Sequence, residues 1–246
     1  MKAMVLAAGL GTRLRPMTDA RPKALVEVGG RTLLEITLAR LRKCGVSEVI
    51  INVHHFAEMV MDYLKLKDNF GLSIEISRED ILLDTGGGLK KAAPFFLRDH
   101  SDEPFILHNV DVISTIDLGQ MLQYHRDKGA LATLAVQKRD SSRQLLFDLC
   151  GQLCGRTTGR DQSPEIVRQA NELHPMAFSG IHIISPRLIS LIEGDGVFSI
   201  IPTYLKLAAA GEKIVAFPAD EYYWRDLGKP ESLRQAADDF SKGLFD

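Results

Sequence analysis

The sequence predicts an α/β protein with a mostly parallel central sheet flanked by crossover helices, and three observations predict it. Short apolar runs alternate with amphipathic stretches through residues 3–107. Glycine-rich or acidic segments fall directly behind the apolar runs, where open parallel sheets keep their ligands. The 246 residues suffice to bury roughly three-quarters of the unfolded surface in one such unit. The elements follow in order. Residues 3–8 are an apolar strand, and Gly9 and Gly11 behind it allow a tight turn whose N–H groups can face an anion. Residues 31–44 form a helix, because Leu34, Leu38 and Leu41 recur at three-to-four-residue spacing while Arg31, Glu35, Arg42 and Lys43 fall elsewhere, and Gly45 stops it. Strands at 48–53 and 73–77 enclose a helix at 56–66, and a helix at 86–97 leads to a strand at 105–107 that runs on toward Asp111. Beyond Asp111 the pattern changes to a helix at 117–128, a strand at 131–137, a polar and less periodic stretch at 138–173, and a strand at 180–184. A last helix at 230–242 opens on Pro230, a favourable first position. No linker rich in Pro, Gly or Ser interrupts the chain, so 1–246 is expected to be one domain with two halves, about 1–112 and about 113–246.

Composition narrows the classes. Apolar residues make up 45% and charged residues 25%, the balance of a soluble globular protein. A net charge of −2 gives no general attraction to nucleic acid, so any phosphate ligand needs local cations. Cys44, Cys150 and Cys154 are too few for a disulfide framework and suit a reducing compartment, with the cytoplasm expected. Cys150 and Cys154, lacking a second cluster at zinc spacing, read as small buried residues. The N-terminus enters a strand within a few residues, leaving no room for an export signal, and no stretch reaches the ~18 apolar residues of a membrane span.

The segment VLAAGLGTRLRPMTDARPKALVE at 5–27 carries the most chemistry. Arg13 supplies a forked cation and Lys23 a point charge beside the glycine turn, equipment for neutralising several phosphate oxygens. A dinucleotide-binding turn would need a third glycine at position 14, which is Leu14. A Walker-type loop would need four residues between its glycines, whereas one residue separates Gly9 from Gly11.

LAAGLGTRLRPMT followed by RPKALVEV, TGGG at 85–88, Asn109-x-Asp111, FSGIHIIS at 178–185 and WRDLGKPE at 224–231 together resemble the signature of the sugar-1-phosphate nucleotidyltransferases, the pyrophosphorylases that make nucleotide sugars. The pieces run through nearly the whole chain in the family's order. The short length and LDTGGGLKKA are most similar to the N-acetylmuramic acid 1-phosphate uridylyltransferase branch, with short mannose- and heptose-1-phosphate guanylyltransferases as near relatives. The resemblance implies a Rossmann-like, glycosyltransferase A-like fold, with nucleotide held by the first half and sugar phosphate by the second. It implies Mg²⁺ on Asp111 and Asp226, and catalytic duty for Arg13, Lys23 and Asp111. Leu6, Ala8, Gly9, Gly11, Thr12, Arg13, Lys23, Thr85, Gly86, Gly87 and Asn109 would surround the nucleotide, and Ser179 and Gly180 the sugar phosphate. Implied partners are a nucleoside triphosphate and a sugar 1-phosphate, without nucleic acid or membrane, on a monomer or homodimer.

The residues agree with that chemistry. An acceptor phosphate has a second pKa near 6, so it is already an ionised nucleophile and requires no side-chain base. A hard cation is the main demand, and Mg²⁺ is typically held by one or two carboxylates plus substrate phosphates. Asp111 closes the apolar strand FILHNVD and Asp226 sits in the aromatic context YYWRDLG. The glycines of the TGGG segment are expected to let backbone approach base and ribose, with base choice set around residues 79–87. Two departures stand out: Val110 occupies a position the family commonly gives to a small residue, and the sugar lobe lacks the Glu-Lys pair of longer relatives, leaving Arg156, Arg160 and Arg168 as candidate substitutes. His108 reads as a hydrogen-bonded strand residue. A cytidylyltransferase for a small alcohol phosphate such as phosphocholine keeps the same fold, but FSGIHIIS favours a sugar. An inactive nucleotide-sugar sensor is opposed by the retention of Arg13, Lys23, Asp111 and Asp226 together.

Overall fold

The computed structural model describes residues 1–159 and 162–245. The first half is built from β1 (Lys2–Leu6), the hairpin β2 (Glu27–Val28) and β3 (Arg31–Thr32), α1 (Leu33–Lys43), β4 (Glu48–Val53), α2 (Ala57–Leu66), β5 (Ser73–Arg78), α3 (Asp84–Lys91), α4 (Ala93–Leu97) and β6 (Phe105–Asn109). β5, β4, β1 and β6 lie side by side and parallel, with Met4 between Ile50 and Leu107. Period-two alternation divides β1 between two cores: Ala3 and Val5 join Leu34, Leu38 and Leu41 on one face, and Met4 joins Leu89, Phe95 and Phe96 on the other. A parallel sheet requires cover on both faces, and these helices supply it.

The second half adds β7 (Val112–Ser114), α5 (Leu118–Lys128), β8 (Ala132–Gln137), β9 (Gln144–Phe147), β10 (Leu153–Thr157), β11 (Glu165–Ile166), β12 (His174–Ile184), α6 (Arg187–Ser190), α7 (Ile200–Ala209), β13 (Ile214–Pro218), β14 (Trp224–Asp226) and α8 (Pro230–Ser241). β12 joins the halves. Its C-terminal end runs antiparallel to β6 on one side and β8 on the other, while its N-terminal end pairs with β9, extended by β10 and β11. β13 runs parallel to β8 at the far edge. The sheet is therefore mixed, with its parallel core under the first half.

Several elements differ from their sequence outlines. The helix expected at 31–44 starts at Leu33, because Arg31 and Thr32 pair in the hairpin and the Thr32 hydroxyl accepts the Glu35 N–H at 3.1 Å as an N-cap. The helix expected at 86–97 starts at Asp84 and breaks at Ala92, just before Pro94. The strand expected at 180–184 begins at His174. The polar stretch at 138–173 holds β9, β10 and β11, strands too short to display a period. Cys154 is buried there as expected, but Cys150 sits exposed in the turn Asp148–Gly151, where its N–H donates to Asp148 Oδ1 at 2.9 Å. Arg160 lies outside the described residues. Among the described residues, no helix is long and apolar enough to cross a membrane.

Candidate active site

The carboxyl ends of β1, β4, β5 and β6 open on one crevice, and a buried polar pair fixes its floor. Asn52 Nδ2 donates to Glu79 Oε1 at 2.8 Å, Asn52 Oδ1 accepts the Ala7 N–H at 2.7 Å, and Glu79 Oε2 accepts the Leu83 N–H at 2.9 Å. The loop after β1 and the start of α3 are thereby tied to one post. A Cβ at Gly88 would stand 2.9 Å from Glu79 Oε1 and 3.0 Å from Asn52 Nδ2, so glycine is what admits the pair.

Above this floor lies a cavity of about 520 Å³. Leu6, Ala8, Gly9, Gly11, Thr12, Arg13, Lys23, Thr85, Asn109 and Asp111 all line it. The two loop glycines do different jobs. Gly11 adopts φ +64, and its carbonyl accepts the Thr18 hydroxyl at 2.8 Å. Gly9 has no left-handed φ and no atom within 4 Å of an added Cβ, so its missing side chain leaves room in the cavity. Lys23 is only 7% exposed and donates from Nζ to Asp111 Oδ2 in a short ion pair, placing cation and carboxylate at the same wall. Val110 is buried, forms part of the same lining, and donates its N–H to the Leu6 carbonyl at 3.1 Å.

Gly86 and Gly87 do not reach this lining. Their N–H groups donate to the Phe198 carbonyl at 2.9 and 3.1 Å. An added Cβ would strike the Phe198 ring at Gly86 and the Gly196 carbonyl at Gly87. Backbone approach is indeed what these glycines permit, but the approaching group is the 194–199 segment of the second half. That segment delivers Val197 to the cavity, and Asn52 lines it as well, neither singled out from the sequence, whereas Leu82 and Asp84 fall in the 79–87 span expected near the base.

A second cavity of about 1170 Å³ adjoins the first and shares Arg13, Asp84 and Asn109 with it. Gly180, Asp226, Arg139, Arg143, Arg156 and Lys229 line it. Pairing of β14 with β7 sets Asp226 opposite Val112, and the Leu227 N–H donates to the Asp111 carbonyl at 2.8 Å, so the backbones of the two aspartates are neighbours, with Asp111 lining the smaller cavity and Asp226 the larger. Asp226 Oδ1 accepts the Gly228 N–H at 2.7 Å. Gly180, at φ +74, leaves space for Asn109, whose Nδ2 would lie 2.9 Å from an added Cβ. Ser179, expected at the sugar phosphate, is fully buried and does not reach this lining: its hydroxyl has no partner, and its carbonyl accepts from Trp224 Nε1 at 2.7 Å. Arg156 donates from Nε to Glu165 Oε2 at 2.7 Å, and Arg168 is absent from the lining.

Among the described residues no cluster of three or more His, Cys, Asp or Glu could hold a metal by itself. Two carboxylates on neighbouring backbone, one in each cavity, are the donor type for a hard cation that draws its remaining oxygens from substrate phosphates. His108 Nδ1 donates to the Asn109 carbonyl at 2.8 Å, and burial, reinforced by the Arg40 charge, pulls its pKa to about 3. It is neutral at ordinary pH, and its one N–H is spent on the Asn109 carbonyl, in line with a strand role.

With this geometry in view, the similarities of the chain are specific. A family model described as nucleotidyl transferase matches residues 2–145. The N-acetylmuramate alpha-1-phosphate uridylyltransferase of Caulobacter vibrioides is 34% identical, covering 94% of this chain and 93% of that protein. Mannose-1-phosphate guanylyltransferase 1 of Arabidopsis thaliana is 31% identical over 94% of this chain, which spans 62% of the longer plant protein. The crystal structure of HddC from Yersinia pseudotuberculosis complexed with GMP-PN superposes with a TM-score of 0.75 at 23% identity, covering 97% of this chain and 99% of that one, a likeness of fold.

Proposed function

The chain belongs to the nucleotidyl transferase family of enzymes, and from that premise we propose that it joins UTP to N-acetylmuramate 1-phosphate, giving a nucleotide sugar and pyrophosphate in the cytoplasm. One observation carries the reading: two cavities meet at Arg13, Asp84 and Asn109, with Asp111 lining one and Asp226 the other on neighbouring backbone. A triphosphate in the smaller cavity and an acceptor in the larger would bring their phosphates together there. The choice of uridylyl donor and muramic acceptor rests on the Caulobacter relative, whose full length the chain nearly matches.

In this mechanism an acceptor phosphate oxygen forms a bond to the α-phosphorus while the bond from that phosphorus to the bridging oxygen breaks, and pyrophosphate leaves with the electron pair. Arg13 and Lys23 neutralise the β and γ phosphates as that charge develops. The loop after β1 offers room through Gly9, and Thr85 and Asn109 border the nucleotide. Gly180 borders the sugar phosphate. Asp111 and Asp226 would hold Mg²⁺, which when bound supplies positive charge to the phosphate oxygens. Among the described residues no Ser, Thr or Cys lining either cavity is hydrogen-bonded to a His, and the displacement is direct.

A matrix of four nucleoside triphosphates against sugar 1-phosphates, read by pyrophosphate release with Mg²⁺ present, tests the reading. UTP with N-acetylmuramate 1-phosphate should give the largest kcat/KM, ahead of GTP with mannose 1-phosphate. Initial-rate plots should intersect. Isotope exchange between triphosphate and pyrophosphate without acceptor would rule out direct displacement, and silence across the whole matrix would rule out the enzyme assignment of substrates.

A further inference from the structure

Arg139, in the segment leaving β8, faces the larger cavity. Its guanidinium carbon stands 3.8 Å from the centre of the Trp224 ring, and Nη2 donates to the Phe178 carbonyl at 2.6 Å. Trp224 is itself fixed by its bond to the Ser179 carbonyl. Nε is buried and has no hydrogen-bond partner. Burial pushes the guanidinium below its ordinary range while the negative charge of Asp226 pulls it back, which puts the two groups within electrostatic reach. Arg143 and Lys229 also line the cavity but are exposed.

A half-buried arginine with an unmade donor is costly to maintain unless an anion completes it. Stacking on an aromatic face and one backbone bond hold the planar fork in place beforehand, so little rotamer entropy remains to be lost on binding. In the larger cavity, which Arg139 and Asp226 line, that anion is the attacking phosphate. We propose that Arg139 binds the 1-phosphate of the acceptor and holds it beside Asp226 for attack on the α-phosphorus. This rests on the reading that the larger cavity takes the acceptor. It also fills the place that the sequence left to Arg156, Arg160 or Arg168.

Trp224 is the sole tryptophan of the chain, so its fluorescence reports directly on the stacked pair. In the wild-type protein, N-acetylglucosamine 1-phosphate, which carries a phosphate and no carboxylate, should change the emission saturably, as should N-acetylmuramate 1-phosphate. Free N-acetylmuramate, carboxylate only, should not. R139A and R139K should raise KM for N-acetylmuramate 1-phosphate by about 10- to 100-fold, the scale for losing a bond to a charged group, leave KM for UTP within about twofold, and abolish the fluorescence response. Thermal melts check folding, and R139K decides if R139A is unstable. A response to free N-acetylmuramate but not to N-acetylglucosamine 1-phosphate would assign Arg139 to the sugar's carboxylate and overturn the proposal. Unchanged acceptor KM in a folded R139K, with wild type turning over, overturns it too. Absence of turnover in wild type with every sugar 1-phosphate removes instead the reading on which it rests.

Discussion

Lys23 and Asp111 form the most consequential pair at the residue scale, because each is poorly solvated and each neutralises the other. Lys23 sits in a single helical turn, Lys23–Leu25, behind the buried Pro22, while Asp111 keeps 20% of its side chain open to the cavity. Removing one partner of a buried pair leaves an uncompensated charge, which costs stability as well as chemistry. Asp111→Asn and Asp226→Asn should each remove most activity with only partial rescue by Mn²⁺. Their melting temperatures should separate them, since only Asp111→Asn strands a buried lysine, whereas Asn at 226 can still accept the Gly228 N–H. Near-normal turnover in either at saturating Mg²⁺ would sink the metal assignment. Arg13 is exposed at the junction of the cavities. Arg13→Ala should lose on the order of 10² to 10³ in kcat/KM without a change in melting temperature. Equal weakening of monophosphate and triphosphate binding, read by calorimetry, would show that Arg13 does not serve the β and γ phosphates.

At the element scale, glycines separate folding from binding. Gly87 on α3 faces the carbonyl of Gly196 so closely that a methyl group would have to displace main chain. Gly87→Ala should cost about 1–3 kcal/mol, the range for overpacking, or a drop of a few degrees in melting temperature for a chain of this size. It should also disturb the cavity through Val197, which the same segment carries. Gly9 meets nothing. Gly9→Ala should melt within about 0.5 kcal/mol of wild type yet raise KM for the triphosphate, because its methyl occupies ligand space. Calorimetric melts beside steady-state kinetics check both, and a Gly9→Ala protein with unchanged KM would mean that the ligand does not enter over the β1 loop.

For the whole molecule, three histidines couple folding to pH. His108 and His182 are fully buried and burial pulls both to about 3, while burial, reinforced by the Arg126 charge, brings His125 to about 4. His182 Nδ1 lies 2.8 Å from the Tyr204 hydroxyl. His125 sits between the hydroxyls of Thr133 at 2.9 Å and Ser185 at 3.0 Å. The unfolded chain protonates each near 6.5, the folded protein only at much lower pH. Stability from these groups is therefore complete above 6.5 and drains away as pH falls toward 3, by about 1.4 kcal/mol per histidine per pH unit. Urea unfolding between pH 7.5 and roughly 4.5 should show this fall on top of any carboxylate effects, and His125→Gln should make it shallower. A slope that His125→Gln leaves unchanged would mean that this site does not drive it.

What the sequence by itself determined is local. The β1 run, a tight turn at Gly9 and Gly11, the Leu34–Leu38–Leu41 stripe of α1 and an acid at the end of β6 follow from period and residue type within a few positions. Their meeting follows from the rule that parallel strands end on one side, so Arg13, Lys23 and Asp111 were legible as one group. Tertiary structure decided the rest. Asp226 stands beside Asp111 only because β14 pairs with β7, a contact made across half the chain by strands of three residues each. Arg139 finds Trp224 through packing that no spacing encodes, and Gly86 and Gly87 turn out to admit Phe198 and Gly196, not a ligand. Short strands carry too few residues to show a period, and long-range side-chain contacts depend on where the whole sheet sets each backbone, so neither leaves a mark in the one-dimensional pattern.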